Sequence, residues 1–330
     1  MIHYLRLIRL PNLLIIVVTQ YLMRFCIVSP LLVQIRQSLI WQYDAHLPLF
    51  KLQFSSLDFA LLVFATVCLT AAGYVINDYF DIKTDILNHP SSVIVGKIVP
   101  RRTAMIIHLV LDITGVVIGF YLASRIGRPW IGTLFLLVAG LLWFYSTTYK
   151  RQLLLGNILV AILTAMVPFM VVLFEVPMLN RVYGQLMSAY QASFGLIIIW
   201  VSGFSLFAFL TTMTREIIKD IEDFEGDRAY GRNTLPVVIG IRWSRAVVVI
   251  LACLTITAIS LVYVYYLRDR ITLIYAVVLL LLPLLVIIYL MINTDGPAHF
   301  HRASLLMKGI MLAGVLYALP ACFILMKNTA

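Results

Sequence analysis

Long apolar stretches alternate with short polar ones along the whole chain. A helix needs about 20 apolar residues to cross the hydrocarbon core of a bilayer, and nine stretches come close to that length. They lie at residues 12–32, 58–77, 103–123, 129–147, 154–174, 191–214, 244–266, 271–291 and 303–326. The pattern predicts an all-α, multi-pass membrane protein that forms a single domain over residues 1–330.

The composition supports this prediction. The chain has 330 residues, of which 62% are hydrophobic and 12% charged, and its mean hydropathy is +0.99. A soluble domain is closer to half apolar and a quarter charged. The four cysteines are far apart in apolar runs, so their spacing indicates neither a disulfide framework nor a metal site.

The charge distribution indicates an orientation. The formal net charge is +10, but no helix-turn-helix, zinc spacing or aromatic-basic platform accompanies it, so nucleic acid is not an expected partner. Lys and Arg are more numerous on the side where the chain begins, which predicts a cytoplasmic N-terminus. Two long polar segments, 78–102 and 215–243, are then cytoplasmic loops, and an outer segment, 33–57, is a candidate interfacial helix. Since no organelle-targeting segment is evident, a prokaryotic inner membrane is the simplest location.

Two acidic motifs of identical spacing, D-x-x-D-x-x-x-D, follow the second and sixth predicted spans. Positions i, i+3 and i+7 share one face of a helix, so each motif aims three carboxylates in one direction. Together they hold six of the 15 acidic residues, and charge at a membrane boundary is costly unless it is neutralised. Mg²⁺ prefers such oxygen ligands and often bridges protein to substrate phosphate, whereas solvated helix ends are the alternative. The candidate catalytic residues are Asn77, Asp78, Asp81, Asp85, Asp220, Asp223 and Asp227.

Basic residues near these motifs are suited to an anionic substrate. Lys supplies a point charge to a phosphate, and Arg supplies two donors. Lys150, Arg215 and Lys219 are the favoured diphosphate contacts, with Lys97 as a further candidate. For the neighbouring arginines at positions 101, 102 and 151, positive-inside topology is the favoured explanation.

These residues identify a family pattern: the chain resembles the UbiA superfamily of intramembrane prenyltransferases. Its first motif, N-D-x-x-D-x-x-x-D, is met by residues 77–85, and its second, D-x-x-x-D, by residues 223–227. The string REIIKDIEDFEGDRAYGRNTLP at residues 215–236 is most similar to the geranylgeranylglycerol-phosphate geranylgeranyltransferase branch. Further matches at residues 9–12, 145–146, 150–151 and 156–157 extend the resemblance over about residues 5 to 320.

The resemblance implies nine helices around a central cavity that opens sideways to lipid. It also implies Mg²⁺-assisted departure of diphosphate from a prenyl diphosphate donor, and transfer of the prenyl group to a lipophilic or phosphorylated acceptor. The implied metal ligands are Asp78, Asp81, Asp85, Asp223 and Asp227, and the implied residues of the substrate cavity are Asn12, Tyr74 and Tyr145.

One departure from the family pattern follows the first motif. Family members often continue with N-R-P-x-R-P, whereas this chain has Asn88-His89-Pro90-Ser91-Ser92. Two positive charges expected beside the diphosphate are therefore missing, and Lys97, Arg101 and Arg102 are the candidate substitutes.

Three functions remain open at this point. The KDIEDFEGD string favours a lipid-precursor phosphate, such as (geranylgeranyl)glycerol phosphate, as acceptor. An aromatic quinone precursor such as 4-hydroxybenzoate is the competing acceptor. A cation-coupled transporter is the non-enzyme alternative, but transporters usually place ionisable groups near the middle of the membrane, whereas these motifs end spans.

Overall fold

The computed structural model describes residues 2–44, 46–88, 93–294 and 296–327. Among them, nine long helices are apolar enough to cross a membrane. We label these helices α1 (Leu10–Tyr43), α2 (Ser56–Asn88), α3 (Arg101–Arg125), α4 (Pro129–Thr147), α5 (Leu155–Ala189), α6 (Gly195–Glu222), α7 (Ile241–Leu267), α8 (Arg270–Asn293) and α9 (Ala298–Lys327). The predicted all-α fold and the predicted number and order of the spans are confirmed.

The packing order of the helices is circular, because the last helix contacts the first. α2 packs against α3 and α4, α5 against α6, and α6 also against α7 and α9. α9 returns to contact α1, so the last span lies beside the first. Because successive spans run in opposite directions, the ends of α2 and α6 that carry the acidic motifs lie on the side where α1 begins.

Several helices run beyond the predicted spans, and the predicted loops are correspondingly too long. α1 continues to Tyr43, so the first part of the predicted outer segment 33–57 is helical. α2 continues to Asn88 and α6 to Glu222, so the two acidic motifs begin on helices rather than in loops starting at residues 78 and 215. Charged and polar residues become frequent after positions 32, 77 and 214, which ends each apolar run, but the helical residues that follow include no Gly or Pro to end the helix.

The described remainder of each predicted loop is short and contains local structure. A turn closed by a bridge between Val95 and Val99 leads into α3. After α6, two short helices, Phe224–Ala229 and Leu235–Ile239, lead into α7. A single 3₁₀ turn, Tyr149–Arg151, joins α4 to α5.

A buried ion pair fixes the end of the bundle that lies away from the acidic motifs. Arg24 and Glu175 are almost fully buried, with 3.6 Å between Arg24 Nη2 and Glu175 Oε2. Glu175 accepts backbone hydrogen bonds from Gln53 and Phe54, and Arg24 donates to the carbonyl of Phe54. The pair therefore holds the segment before α2 against the bundle, and its hydrogen bonds offset the cost of burying two charges.

Candidate active site

The first acidic motif occupies the last turns of α2. Asp78 accepts a hydrogen bond from Arg9 Nη2 at 2.9 Å. Arg9 immediately precedes α1 and has a left-handed backbone, with φ 53° and ψ 54°. Because this conformation is unfavourable for a residue with a side chain, the contact with Asp78 helps to stabilise the turn that starts α1.

Asp81 lies at the centre of the site and is buried. Its Oδ1 lies 2.8 Å from Lys150 Nζ and also accepts a hydrogen bond from Arg232 Nη2. Lys150 Nζ lies 3.3 Å from the side-chain oxygen of Asn77. One carboxylate of the first motif thus binds two cations from different segments, the turn after α4 and the loop after α6.

A glycine places Lys150 at this point. A Cβ on Gly156 would lie 2.9 Å from Lys150 Cα and 3.1 Å from the carbonyl oxygen of Tyr149. α5 can therefore begin this close to the 3₁₀ turn only if residue 156 has no side chain. The backbone N–H of Asn233 donates to the carbonyl of Arg151 at 3.0 Å, which ties the same turn to the loop that carries Arg232.

The second acidic motif spans the junction between α6 and the short helix Phe224–Ala229, with Asp223 at the junction itself. Asp227 lies on the short helix and is buried, and Arg232 Nη1 lies 3.3 Å from its Oδ1. Burial raises the pKa of Asp227 to about 6, and the positive charge of Arg232 opposes this rise. Asp220 points towards α5, where it accepts a hydrogen bond from Asn157 Nδ2 at 2.8 Å.

Arg232 joins the two motifs, because its guanidinium contacts both Asp81 and Asp227. These two carboxylates come from α2 and from the short helix after α6, and the structure brings them to the same cation. Asp78 and Asp220 lie at the sides of this contact, bound to Arg9 and Asn157.

Two sequence predictions fall outside the described part of the chain. The side chain of Asp85 is not described, so the predicted role of Asp85 as a metal ligand stays a prediction. Residues 89–92, where the arginines expected from the family are replaced, are not described either. Lys97 is described and lies exposed in the turn before α3.

A group of cations lies beside the acidic residues. Arg215 Nη1 contacts Glu216 Oε1 at 2.6 Å. Lys308 lies on α9, is exposed, and interacts electrostatically with the positive charges of Arg9, Arg215 and Lys219. Glu216 and Glu222 belong to the same group and offset part of its positive charge, and the cations that remain in excess favour an anion among them.

Two of the predicted cavity residues lie directly beside the first motif. Asn12 Nδ2 donates to the hydroxyl of Tyr74 at 3.3 Å, and the Arg9 guanidinium lies 4.8 Å from the centre of the Tyr74 ring. This distance is within the range of a cation–π contact. Tyr145 belongs to α4, and its ring lies against the start of α5, where a Cβ on Gly156 would be 3.3 Å from a ring carbon of Tyr145.

Four residues of the site were not predicted as site residues from the sequence: Arg9, Asn157, Arg232 and Lys308. The first two belong to stretches that match the family, and Arg232 follows the second motif closely, so a weak signal was present for all three. Arg232 sits in a loop, where no periodicity indicates the direction of a side chain. Lys308 could have been noticed in the sequence, because it is a charged residue within an apolar span. Burying such a charge in the membrane costs free energy, so charged residues in spans usually have a function.

The fold and the site together define a polytopic α-helical membrane protein with a charged site at one end of its bundle. The model of the UbiA prenyltransferase family matches residues 49–320, so the chain belongs to that family. It is therefore an integral membrane prenyltransferase, which argues against the transporter interpretation.

A relative supports this assignment, and two solved structures share the fold. The chain is 29% identical over 266 residues to the digeranylgeranylglyceryl phosphate synthase of Methanosphaera stadtmanae, covering 79% of this chain and 88% of that protein. The structure of a UbiA homologue from Aeropyrum pernix has the same fold, with a TM-score of 0.61 at 17% identity, over 94% of this chain and 98% of that one. A UbiA homologue from Archaeoglobus fulgidus bound to GPP and Mg²⁺ is similar at a TM-score of 0.55 and 15% identity, over 96% of this chain and 99% of that one.

Proposed function

We propose that the chain uses Mg²⁺ to transfer a geranylgeranyl group from its diphosphate to the hydroxyl of geranylgeranylglycerol phosphate. The name of the Methanosphaera relative supports this acceptor, and so does the sequence string at residues 215–236. In this reaction the bond between the allylic carbon and the diphosphate oxygen breaks. The carbon joins the acceptor oxygen, which releases its proton.

The observation that carries the proposal is the contact of Arg232 with both acidic motifs. Lys150 and Arg232 compensate the charges of Asp81 and Asp227. A diphosphate offers the same two cations oxygen anions of comparable strength. The cations can therefore turn from the carboxylates to the diphosphate, which leaves the carboxylates to a metal ion.

The chemistry of the donor set fits Mg²⁺. Asp81 and Asp227, with Asp78 and Asp223 nearby, offer carboxylate oxygens, the ligands that Mg²⁺ prefers. Within the described part of the chain, no three Asp, Glu, His or Cys side chains gather closely enough to hold a metal by themselves. The implied metal ligands that the structure describes therefore do not form one cluster, and we propose that Mg²⁺ takes one or two of these carboxylates and completes its coordination with water and substrate phosphate. When bound, Mg²⁺ supplies positive charge to the departing diphosphate.

The chain's own side chains complete the proposed chemistry. Lys150 and Arg232 neutralise the charge that develops on the leaving group. The rings of Tyr74 and Tyr145 offer π faces to the allylic cation, a contribution of about 2 kcal/mol when the contact is desolvated. The apolar walls of the spans keep water away from that cation.

The second group of cations suits the acceptor. Arg215, Lys219 and Lys308 lie near one another beside the acidic motifs. A phosphate carries more charge and more acceptor oxygens than the single carboxylate of 4-hydroxybenzoate, so several cations favour the phosphorylated acceptor. We assign these three residues to the acceptor phosphate, a proposal that replaces the diphosphate contact expected from the sequence for Arg215 and Lys219. By the positive-inside rule, we also assign the whole charged end to the cytoplasmic face of a prokaryotic inner membrane.

A competition assay tests the proposal. Purified protein in nanodiscs receives geranylgeranyl diphosphate, Mg²⁺ and equal amounts of geranylgeranylglycerol phosphate and 4-hydroxybenzoate, and mass spectrometry identifies the products. We expect digeranylgeranylglyceryl phosphate as the main product, and no product when EDTA removes the metal. A prenylated benzoate as the main product would contradict the proposed acceptor, and turnover in EDTA would contradict the metal.

A further inference from the structure

A cavity of about 430 Å³ lies beside the site, and none of the motif aspartates lines it. It is bounded by the end of α6, the short helix after it, and the starts of α7 and α9. All of these elements begin or end at the membrane boundary, so the cavity lies at the level of lipid headgroups. The lining residues that matter here are Ile221, Glu222, Glu225, Arg242, Arg245 and Phe300.

The two walls of the cavity carry opposite charges. Arg242 and Arg245 come from the first turns of α7, and the Arg245 guanidinium lies 5.0 Å from the centre of the Phe300 ring. Glu222 and Glu225 come from the junction after α6, and Glu222 Oε1 lies 2.8 Å from His301 Nδ1. Arg242 and Glu225, one from each wall, are exposed.

The apolar part of the cavity and its surroundings suit a lipid. Ile221, Ile241 and Phe300 supply apolar lining between the two charged walls. Trp243, next to Arg242 in the chain, is 66% exposed. Tryptophan at this level is typical of the membrane–water interface.

We propose that this cavity binds the headgroup of a phospholipid with a phosphate and a primary ammonium group, such as a phosphoethanolamine. The phosphate contacts Arg242 and Arg245, and the ammonium contacts Glu225. A purely anionic headgroup would face the Glu225 carboxylate, and a purely cationic one would face two arginines. A primary ammonium also donates hydrogen bonds to carboxylates, which a quaternary ammonium cannot.

The cavity shares a segment with the catalytic site. Glu222 and Phe224 line it and flank Asp223 in the chain, and Glu225 lies on the same short helix as Asp227. A headgroup that holds this segment also restricts the positions of the two aspartates. We therefore expect the lipid to strengthen Mg²⁺ binding, a consequence that rests on the proposed function, whereas lipid binding itself does not.

Native mass spectrometry of the detergent-solubilised protein, without donor or Mg²⁺, tests the binding. We expect one phosphatidylethanolamine to bind about tenfold more tightly than phosphatidylglycerol or phosphatidylcholine, the effect of about one charge-assisted hydrogen bond. Arg242→Gln should weaken phosphatidylethanolamine binding about tenfold. Glu225→Gln should abolish the preference over phosphatidylglycerol. Arg6→Gln, an exposed arginine on the same side of the bundle but outside the cavity, is the matched control and should change nothing.

Three results would overturn the proposal. One is equal affinity for the three lipids, and another is an unchanged affinity in both Arg242→Gln and Glu225→Gln. The third is displacement of the lipid by micromolar soluble phosphoethanolamine, which would indicate a soluble metabolite as the ligand. Thermal unfolding and gel filtration check that the variants are folded. If Arg242→Gln does not fold, the loss of lipid preference in the exposed Glu225→Gln variant decides the question alone.

Discussion

Replacing Arg232 by glutamine removes the side chain that joins the two acidic motifs. The substitution keeps a polar side chain of moderate length but takes away the positive charge. Asp81 retains Lys150 at 2.8 Å, whereas Asp227, whose side chain is 4% exposed, loses the only ion pair that the structure describes for it. The substitution therefore affects mainly the charge balance of the second motif.

The size of the effect on stability follows from the pKa of Asp227. Removing one partner of a buried pair costs about 3–5 kcal/mol when the remaining charge cannot be neutralised. Asp227 can be neutralised, because burial has already raised its pKa to about 6. At pH 7 taking up a proton at a pKa of about 6 costs about 1.4 kcal/mol, and the cost in the variant is lower, because the loss of Arg232 removes the positive charge that opposes the rise of this pKa. With the lost hydrogen bond included, we expect Arg232→Gln to lower the free energy of unfolding by at most about 2 kcal/mol.

The effect on catalysis is expected to be larger. If Arg232 contacts the departing diphosphate, its loss removes one stabilising donor from the transition state, which typically lowers kcat by about 10²–10³-fold. Diphosphate release measures kcat, and thermal unfolding in detergent measures stability. Arg228→Gln is the matched control, because Arg228 is exposed and lies on the short helix that carries Asp227. We expect both quantities to be unchanged in this control.

An Arg232→Gln variant whose kcat stays within about threefold of the wild type at saturating Mg²⁺ would contradict this role of Arg232. That result would mean that Arg232 has a structural role only. A fall in kcat that appears equally in Arg228→Gln would also contradict the role of Arg232 in catalysis, since a general change in charge would then explain the loss.

Three further predictions concern other residues of the site. Asp81→Asn and Asp223→Asn should each abolish diphosphate release while the protein remains monodisperse in detergent, and activity in both variants would contradict the metal clamp. Lys308→Gln should raise the KM for the phosphorylated acceptor about tenfold and leave the KM for the donor unchanged, as steady-state kinetics with each substrate varied would show. Asp227 holds a proton more tightly in the folded protein than in the unfolded chain, so this group adds stability as the pH falls from about 6 towards about 4. Mg²⁺ must displace that proton, so calorimetric titrations at about pH 5.5 and about pH 7.5 should show weaker Mg²⁺ binding at the lower pH.

The fold was largely predictable because lipid imposes a simple rule on sequence. A span must be apolar over a fixed length, so the number and order of the helices follow from hydropathy. The ends of the helices do not follow from hydropathy, because a helix can extend beyond the membrane where its side chains are polar. α2 and α6 do so: the first acidic motif lies on the extension of α2, and the second begins on the extension of α6 and ends on the short helix after it.

The site was predictable in its acidic residues but not in the partners of those residues. The i, i+3, i+7 spacing indicates that Asp78 and Asp81 share a face, yet the structure binds them to different cations, Arg9 and Lys150. Which cation meets which carboxylate depends on the packing of distant segments. The approach of Arg232 to Asp81 is such a case, because it requires both the path of the loop after α6 and the close start of α5 at Gly156.

A structure of the protein with Mg²⁺ and geranylgeranyl thiolodiphosphate, a slowly reacting donor analogue, would show whether the two acidic motifs hold the diphosphate between them. We expect the diphosphate between Asp81 and Asp227, with Mg²⁺ on these carboxylates and with Lys150 and Arg232 turned from Asp81 to the phosphate oxygens. A diphosphate bound elsewhere, with Lys150 and Arg232 still paired to Asp81, would contradict this expectation.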